Sequence, residues 1–307
     1  MTFQKAAVIP SKGIGDALMM MISAHHLQKN GIEVTTFHPA LHELRDWFPG
    51  QHFENEFNFE KIQSFDLVIV ENDNSSKIKK LLAAFEKKEL KYLSIFYPSY
   101  LSIKHASLSS LDQVFDPHLT MVENISLATA RLLSLPASKF NGIVFPFGLV
   151  HRLYKNRILI HPTSSQKEKN WHSSKYLKLA EKLKNKGFDP CFIVHEYERE
   201  NWKNVLKLGF DLPHFPHLSD LAAFTYQSGY VIGNDSLLGH LASNLGIPNW
   251  IIANDYKRMQ LWRPGWLEGK VITPPFWIPN FKFLRIKKKY WQHCITTHQV
   301  LSNFETS

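Results

Sequence analysis

The feature that most constrains this chain is a repeated alternation of short apolar runs with amphipathic segments. "KAAVIP", "GIEVTTFH", "FDLVIVEN" and "KYLSIFYP" each read as a strand. Between the first two, residues 16–28 put Ala17, Leu18, Met21, Ile22 and Leu27 on or near one helical face, and Gly31 ends that helix. "FDLVIVEN" is continuously apolar, the pattern of a strand covered on both faces. "SSKIKKLLAAFEKKEL" and residues 120–133 add two helices to this half. After the Pro- and Gly-rich "PASKFNGIVFPFGLVHRLYKN" the pattern restarts, with "RILIHPTS", "DPCFIVHE", "YVIGND" and "PNWIIAN" as strands. Residues 174–186, 198–208, 220–227 and 236–244 are the helices between them, and 289–304 forms a last helical pattern. Alternation of this kind requires parallel sheets with right-handed crossovers, here in two halves.

The length, 307 residues, suits two domains better than one core. No run approaches the roughly 18 apolar residues of a membrane-spanning helix. Pro10, Lys12, Gly13, Gly15 and Asp16 interrupt the N-terminal apolar stretch, so no signal peptide is expected there. Cys191 and Cys294 are far apart and belong to no metal-spaced cluster, which fits a reducing cytoplasm. His38 and His42 have an i, i+4 spacing, but Pro39 lies between them and no further ligand pattern completes a site; surface histidines near a turn are expected. The net charge of +9 comes from lysines in "KIKKLL", "EKKELK" and "RIKKKYW". Such runs are ordinarily solvated helix faces, and otherwise attract an anionic partner. The basic residues are scattered and carry no recognition motif, so no nucleic-acid partner is expected.

In open parallel sheets, ligands bind beyond the carboxyl ends of the strands. Three junctions there carry polar residues. In "PSKGIGDALM", Gly13 and Gly15 permit close backbone approach and Asp16 stands at a helix start. Asp16 is either an N-cap or a ligand group. Leu18 stands where a dinucleotide fingerprint needs its third glycine. In "HPTSSQKEKNWHSSKY", the hydroxyls of Thr163, Ser164 and Ser165, with Lys169, suit phosphate oxygens; the alternative is a polar loop capped by Ser173. In "YVIGNDSLLGHLASNLGIPNWIIAN", a helix starting near Ser236 offers free N–H groups and a positive dipole end. Asp235 there suits sugar hydroxyls or its own helix cap, and His240 one turn inside is either packed or functional.

In this order and spacing, the three stretches resemble glycosyltransferase family nine, the heptosyltransferases of lipopolysaccharide core assembly. "SKGIGDAL" matches the family's opening loop, and "HPTSSQKEKNWHSSKYLKLAEKL" its hydroxyl-rich loop with Lys-x-Trp. "VIGNDSLLGHLASNLGIP" matches the strand, Asp-Thr-Gly, His-Leu-Ala and Gly-x-Pro, and "LSDLAAFTYQSG" the helix before it. The resemblance implies an α/β chain of GT-B architecture, two Rossmann-like domains with parallel sheets facing a central cleft. It assigns residues 1–150 to an acceptor-binding domain and 151–288 to a nucleotide-sugar-binding domain. It further implies that residues 289–307 form a C-terminal helix packing back on the first.

The implied activity is inverting, metal-independent glycosyl transfer with no cofactor. The co-substrate implied is a nucleotide sugar, ADP-heptose in the first instance, and the acceptor is a lipopolysaccharide core or other anionic glycan or glycolipid. Asp16 matches the general base. Ser164, Ser165 and Lys169 match the diphosphate and sugar contacts, and Asp235, Ser236 and His240 the donor-binding edge. Glu196 matches an acidic residue on the nucleoside side, with Glu198 the alternative alignment. The location implied is cytoplasmic, peripheral at the inner face of the inner membrane, where a basic surface meets anionic lipid. Two departures stand out: Ser236 replaces threonine and keeps the hydroxyl, whereas Leu237 replaces glycine and adds bulk. Leu237 keeps a second class open, a catalytically inactive nucleotide-sugar-binding or glycan-assembly protein on the same fold.

Overall fold

The computed structural model describes residues 3–98, 108–278 and 286–305. The chain divides into two compact units, Met1–Phe147 and Gly148–Ser307.

The described part of the first unit holds strands β1 (Lys5–Ile9), β2 (Glu33–Phe37), β3 (His52–Glu54), β4 (Leu67–Glu71), β5 (Tyr92–Tyr97) and β6 (Gln113–Val114). Its helices are α1 (Ile14–Lys29), α2 (Phe59–Ile62), α3 (Ser76–Glu86) and α4 (Met121–Leu133). The strands are parallel, in the order β3-β2-β1-β4-β5-β6. This is the doubly wound order of nucleotide-binding folds, and its direction reverses between β1 and β4. All five β4 residues are buried, as a continuously apolar run requires. The run from Ala17 to Ala24 in α1 is likewise buried throughout. Where α1 meets α4, the buried hydroxyls of Ser23 and Thr129 satisfy one another at 2.6 Å. α4 opens on a capping box: Glu123 N–H donates to Thr120 Oγ1, and Thr120 N–H donates to Glu123 Oε2.

The second unit holds β7 (Tyr154–His161), β8 (Asp189–Phe192), β9 (Ser228–Asn234), β10 (Asn249–Ile252) and β11 (Lys270–Ile272). Its helices are α5 (Ser173–Lys184), α6 (Arg199–Trp202), α7 (Asn204–Lys207), α8 (Leu218–Tyr226), α9 (Leu237–Asn244), α10 (Tyr256–Trp262), α11 (Ile286–Cys294) and α12 (Thr297–Glu305). The parallel order is β11-β10-β9-β7-β8, which reverses between β7 and β9.

Two expected helices are broken. Residues 198–208 form the short α6 and α7, and the last pattern divides between Cys294 and Thr297. The second break has a visible cause. Side chains from elsewhere capture the carbonyl of the buried Ile295: Trp171 Nε1 at 3.1 Å and Lys175 Nζ at 2.7 Å. A helix continuing through this point would need that carbonyl. The C-terminal helix, expected to return to the first half, packs its Phe304 against Phe188, Tyr230 and Trp250 of the second unit. Trp250 Nε1 also donates to Asn303 O at 3.1 Å. Tyr230, Trp250 and Phe188 leave an aromatic face that the α12 stripe Val300, Leu301 and Phe304 covers. No described helix is long and apolar enough to cross a membrane.

β7 and β9 approach closely at Gly233. A Cβ there would lie 2.7 Å from the His161 carbonyl oxygen, which is backbone and cannot yield. A Cβ on Gly239 in α9 would meet side-chain atoms, the tip of Ile251 at 2.5 Å and Pro264 Cγ at 3.3 Å. Gly233→Ala is therefore expected to lower stability by about 1–3 kcal/mol, and Gly239→Ala by less. Thermal denaturation followed by circular dichroism checks this, and an unchanged midpoint for Gly233→Ala contradicts it.

Candidate functional site

Each sheet presents polar residues at the point where its strand order reverses. In the first unit, β1 runs out at Ile9 and the chain turns through Pro10, Ser11, Lys12 and Gly13 into α1. The N-cap is Gly13, with no side-chain cap, so the capping reading of Asp16 does not hold: Asp16 sits inside the first turn. Its Oδ2 accepts a hydrogen bond from the Ser11 hydroxyl. A Cβ on Gly13 would fall 2.5 Å from that same Oδ2. The glycine thus makes room for the carboxylate.

Behind Asp16 lies Glu71, the last residue of β4 and 2% exposed. Its Oε2 accepts from Ser11 N–H at 3.2 Å. Burial, then the Asp16 charge, holds the Glu71 carboxyl well above the ordinary carboxylate range; the Ser11 amide and Lys77 oppose this, and Asp73 adds to it. Lys77 Nζ donates to Pro10 O at 2.9 Å, and burial lowers its ammonium below the usual lysine range. His38 closes the group from the end of β2, with Nε2 3.2 Å from Lys12 O. Its Nδ1 accepts from Ala40 N–H, capping the 3-10 turn Pro39–Trp47, while His42 is exposed and packs edge-on to Phe53. Only His42 is thus a surface histidine; His38, expected at the surface, is buried and caps the turn.

In the second unit, β7 ends at His161, whose Nδ1 lies 2.7 Å from Ile193 O. The loop that follows carries Ser164, Ser165 and, in the short 3-10 turn Lys167–Lys169, Lys169. Ser164 Oγ lies 2.7 Å from Asn170 Oδ1 and 2.9 Å from Gln166 O, while Ser165 is exposed. The loop is pinned to β9 by the fully buried Asn234, whose Oδ1 accepts from Trp171 N–H at 3.0 Å and Tyr176 Oη at 2.9 Å. Directly after Asn234 come Asp235 and Ser236. Ser236 is the N-cap of α9 but makes no capping bond, and its buried Oγ has no hydrogen-bond partner among the described residues. Asp235 does not cap: its Oδ2 pairs with Arg258 of α10 at 3.3 Å. Lys169 shares this field. Burial lowers its ammonium, the Arg258 charge lowers it further, and Asp235 opposes both. His240 is buried one turn into α9.

Two basic side chains, serine hydroxyls and a helix N-terminus with an idle cap thus converge where the sheet order reverses. This chemistry suits a di-anion such as a diphosphate. Glu196 stands apart: its Oε2 meets His214 Nε2 at 2.9 Å and both are exposed. Glu198 caps the same turn through His195 N–H, and its charge is felt at His161. Leu237 is the half-buried first residue of α9. The glycine expected there occurs two residues on, at Gly239, where it lets α9 lie against Ile251 of β10. The sequence reading missed Arg258, Asn234 and Glu71. For the last two a signal existed: an uncommitted polar residue closing an apolar strand.

A family model described as "Glycosyltransferase family 9 (heptosyltransferase)" matches residues 72–253, more than half of the chain. No curated protein matches the chain by sequence. Among solved structures, E. coli ADP-heptose lps heptosyltransferase II superposes with a TM-score of 0.70 at 16% identity, covering 99% of this chain and 98% of that one. E. coli heptosyltransferase WaaC with ADP gives 0.69 at 13% identity, covering 99% of each. The iron-containing dodecameric glycosyltransferase TibC from enterotoxigenic E. coli H10407 gives 0.58 at 12%, covering 99% and 78%. The two parallel sheets with interleaved helices are those of the GT-B-like heptosyltransferases. With its matching family model and this α/β architecture, the chain belongs to glycosyltransferase family 9, the heptosyltransferases, and is a glycosyltransferase.

Proposed function

We propose that this enzyme transfers heptose from ADP-heptose to a lipopolysaccharide core or related anionic glycan, with inversion and without a metal ion. The single observation that carries this reading is the gathering of Lys169, the Asp235–Arg258 pair and the uncommitted Ser236 hydroxyl at the start of α9, at the β7/β9 reversal. ADP and ADP-heptose appear in the names of the matched E. coli enzymes, which supports this donor.

In such a reaction the acceptor hydroxyl attacks the anomeric carbon while ADP departs from the opposite face. Asp16 takes the hydroxyl proton as the new bond forms, so its placement matters more than its basicity. The departing diphosphate gains negative charge. Lys169, Arg258, the hydroxyls of Ser164, Ser165 and Ser236, and the first N–H groups of α9 stabilise it in the role a metal ion plays elsewhere. Asp235 holds Arg258 before the donor arrives and hydrogen-bonds sugar hydroxyls afterwards, with His240 beside it. Glu196 or Glu198 faces the nucleoside. The first unit binds the acceptor, and the surplus positive charge favours the cytoplasmic face of an anionic membrane.

Leu237 favours a second reading, a nucleotide-sugar-binding protein that transfers nothing. Under it, ADP-heptose binds but no acceptor is glycosylated, and Leu237→Gly restores turnover.

Asp16→Ala is expected to lower transfer by about 10²–10⁴-fold while ADP-heptose affinity by calorimetry stays nearly constant. Lost donor binding in a folded variant would make Asp16 a donor ligand instead. Lys169→Ala and Arg258→Ala are each expected to weaken ADP binding by about 10- to 100-fold, the worth of one charge-assisted hydrogen bond. Affinities unchanged in both would remove the diphosphate from this edge. Transfer to truncated lipopolysaccharide should also survive exhaustive chelation; its loss, restored by added metal, contradicts metal independence.

A further inference from the structure

Glu71 is an unusual residue to find where it is. It closes a strand whose every residue is buried, and among the described residues the one hydrogen bond to its carboxyl group comes from Ser11 N–H. An apolar side chain would fill this place without the cost of desolvating a carboxyl group. Packing alone gives no reason for a glutamate. The geometry around Ser11 does. β1 and β4 are adjacent, with Ile9 opposite Val70, so Ser11 and Glu71 emerge together at the reversal of the strand order. Ser11 then works in two directions: its N–H donates to Glu71 and its hydroxyl donates to Asp16 Oδ2. The residue with the candidate base and the buried acid are thus joined through a single serine.

We propose that Glu71 is a positioning residue for the transfer reaction, holding the Asp16 carboxylate in register through Ser11. The inference rests on the reading of Asp16 as the base. Two carboxylates sharing a site do not ionise independently, and their titration belongs to the pair. Asp16 serves as base, and burial together with the Asp16 charge holds the Glu71 carboxyl behind it above the ordinary carboxylate range. The other charged groups facing the pair are Asp73 and Lys77 beside Glu71, with Lys12 acting on Lys77 and His38 on Asp16. As pH rises far enough to ionise Glu71, two negative charges meet across Ser11 and the Asp16 carboxylate loses its fixed direction, so kcat falls. The same ionisation works against folding. Because the folded carboxyl lies above its ordinary range, the folded state binds more protons than the unfolded one, and stability declines as pH rises above about 4.5.

The test compares wild type, Glu71→Gln, Glu71→Ala and Asp16→Asn, with ADP-heptose and truncated lipopolysaccharide as probes. Glu71→Ala is expected to lower kcat about tenfold or more, with the donor KM within about twofold. Glu71→Gln keeps the oxygen that accepts from Ser11; it is expected to recover most of that loss and to abolish the alkaline fall in kcat. An unchanged pH profile in Glu71→Gln overturns the proposal, even where Glu71→Ala fails to fold. Carboxyl-carbon NMR supplies a readout without turnover. Glu71 should titrate above the ordinary carboxylate range in wild type and move towards it in Asp16→Asn; ordinary titration in wild type overturns the pairing. Failure of the underlying reading looks different: Asp16→Asn would then transfer as well as wild type, whatever Glu71 does.

Discussion

The constraint on which the rest of the structure depends is the reversal of strand order inside each parallel sheet. Where neighbouring strands send their crossovers to opposite faces, no helix covers the carboxyl ends between them, and a crevice remains. β1 and β4 create one such place, β7 and β9 the other. The candidate site residues lie beside them. Asp16, Ser11 and Glu71 occupy the first. Ser164, Lys169, Asn234, Asp235 and Ser236 occupy the second, with Arg258 reaching in from α10. The same crossovers that bury the strands on both faces leave these edges open to polar groups.

Glycines and buried amides then set the fine geometry. Gly13 is needed because the Asp16 carboxylate fills the space its side chain would take. Gly233 lets β9 run against the His161 carbonyl. Asn234 gathers the backbone of Trp171 and the hydroxyl of Tyr176 at one oxygen, which fixes the loop bearing Ser164 and Lys169. A buried amide that satisfies several partners is worth more as a fixture than as a source of stability. Gly239 lets α9 lie against Ile251 of β10, while Leu237 begins the helix with a half-buried side chain.

Much of this was legible in the sequence, for local reasons. The alternation of periods located β1, α1, β4, α3 and most of the second half, because each element's burial is written into neighbouring residues. Asp16, Lys169, Asp235 and His240 were visible because polar residues stood at strand-to-helix junctions. What was hidden depends on pairings distant in sequence. Arg258 reaches Asp235 from a short helix whose pattern was too brief to read. Glu71 passed as the end of an apolar run, and its meaning appears only once β4 lies beside β1. The break before α12 depends on Trp171 and Lys175, far upstream, taking the Ile295 carbonyl. Asp16 and Asp235 both looked like caps, and neither is one, since Gly13 and Ser236 hold those positions.

The central claim is that the donor diphosphate is held where β7 and β9 diverge. Amide hydrogen exchange with and without ADP-heptose tests it most directly. Slowed exchange is expected in residues 163–171, 235–240 and 256–260, with the β1/β4 edge unaffected by donor alone. Protection confined to residues 11–17 and 71–77, with the second unit unchanged, would contradict it.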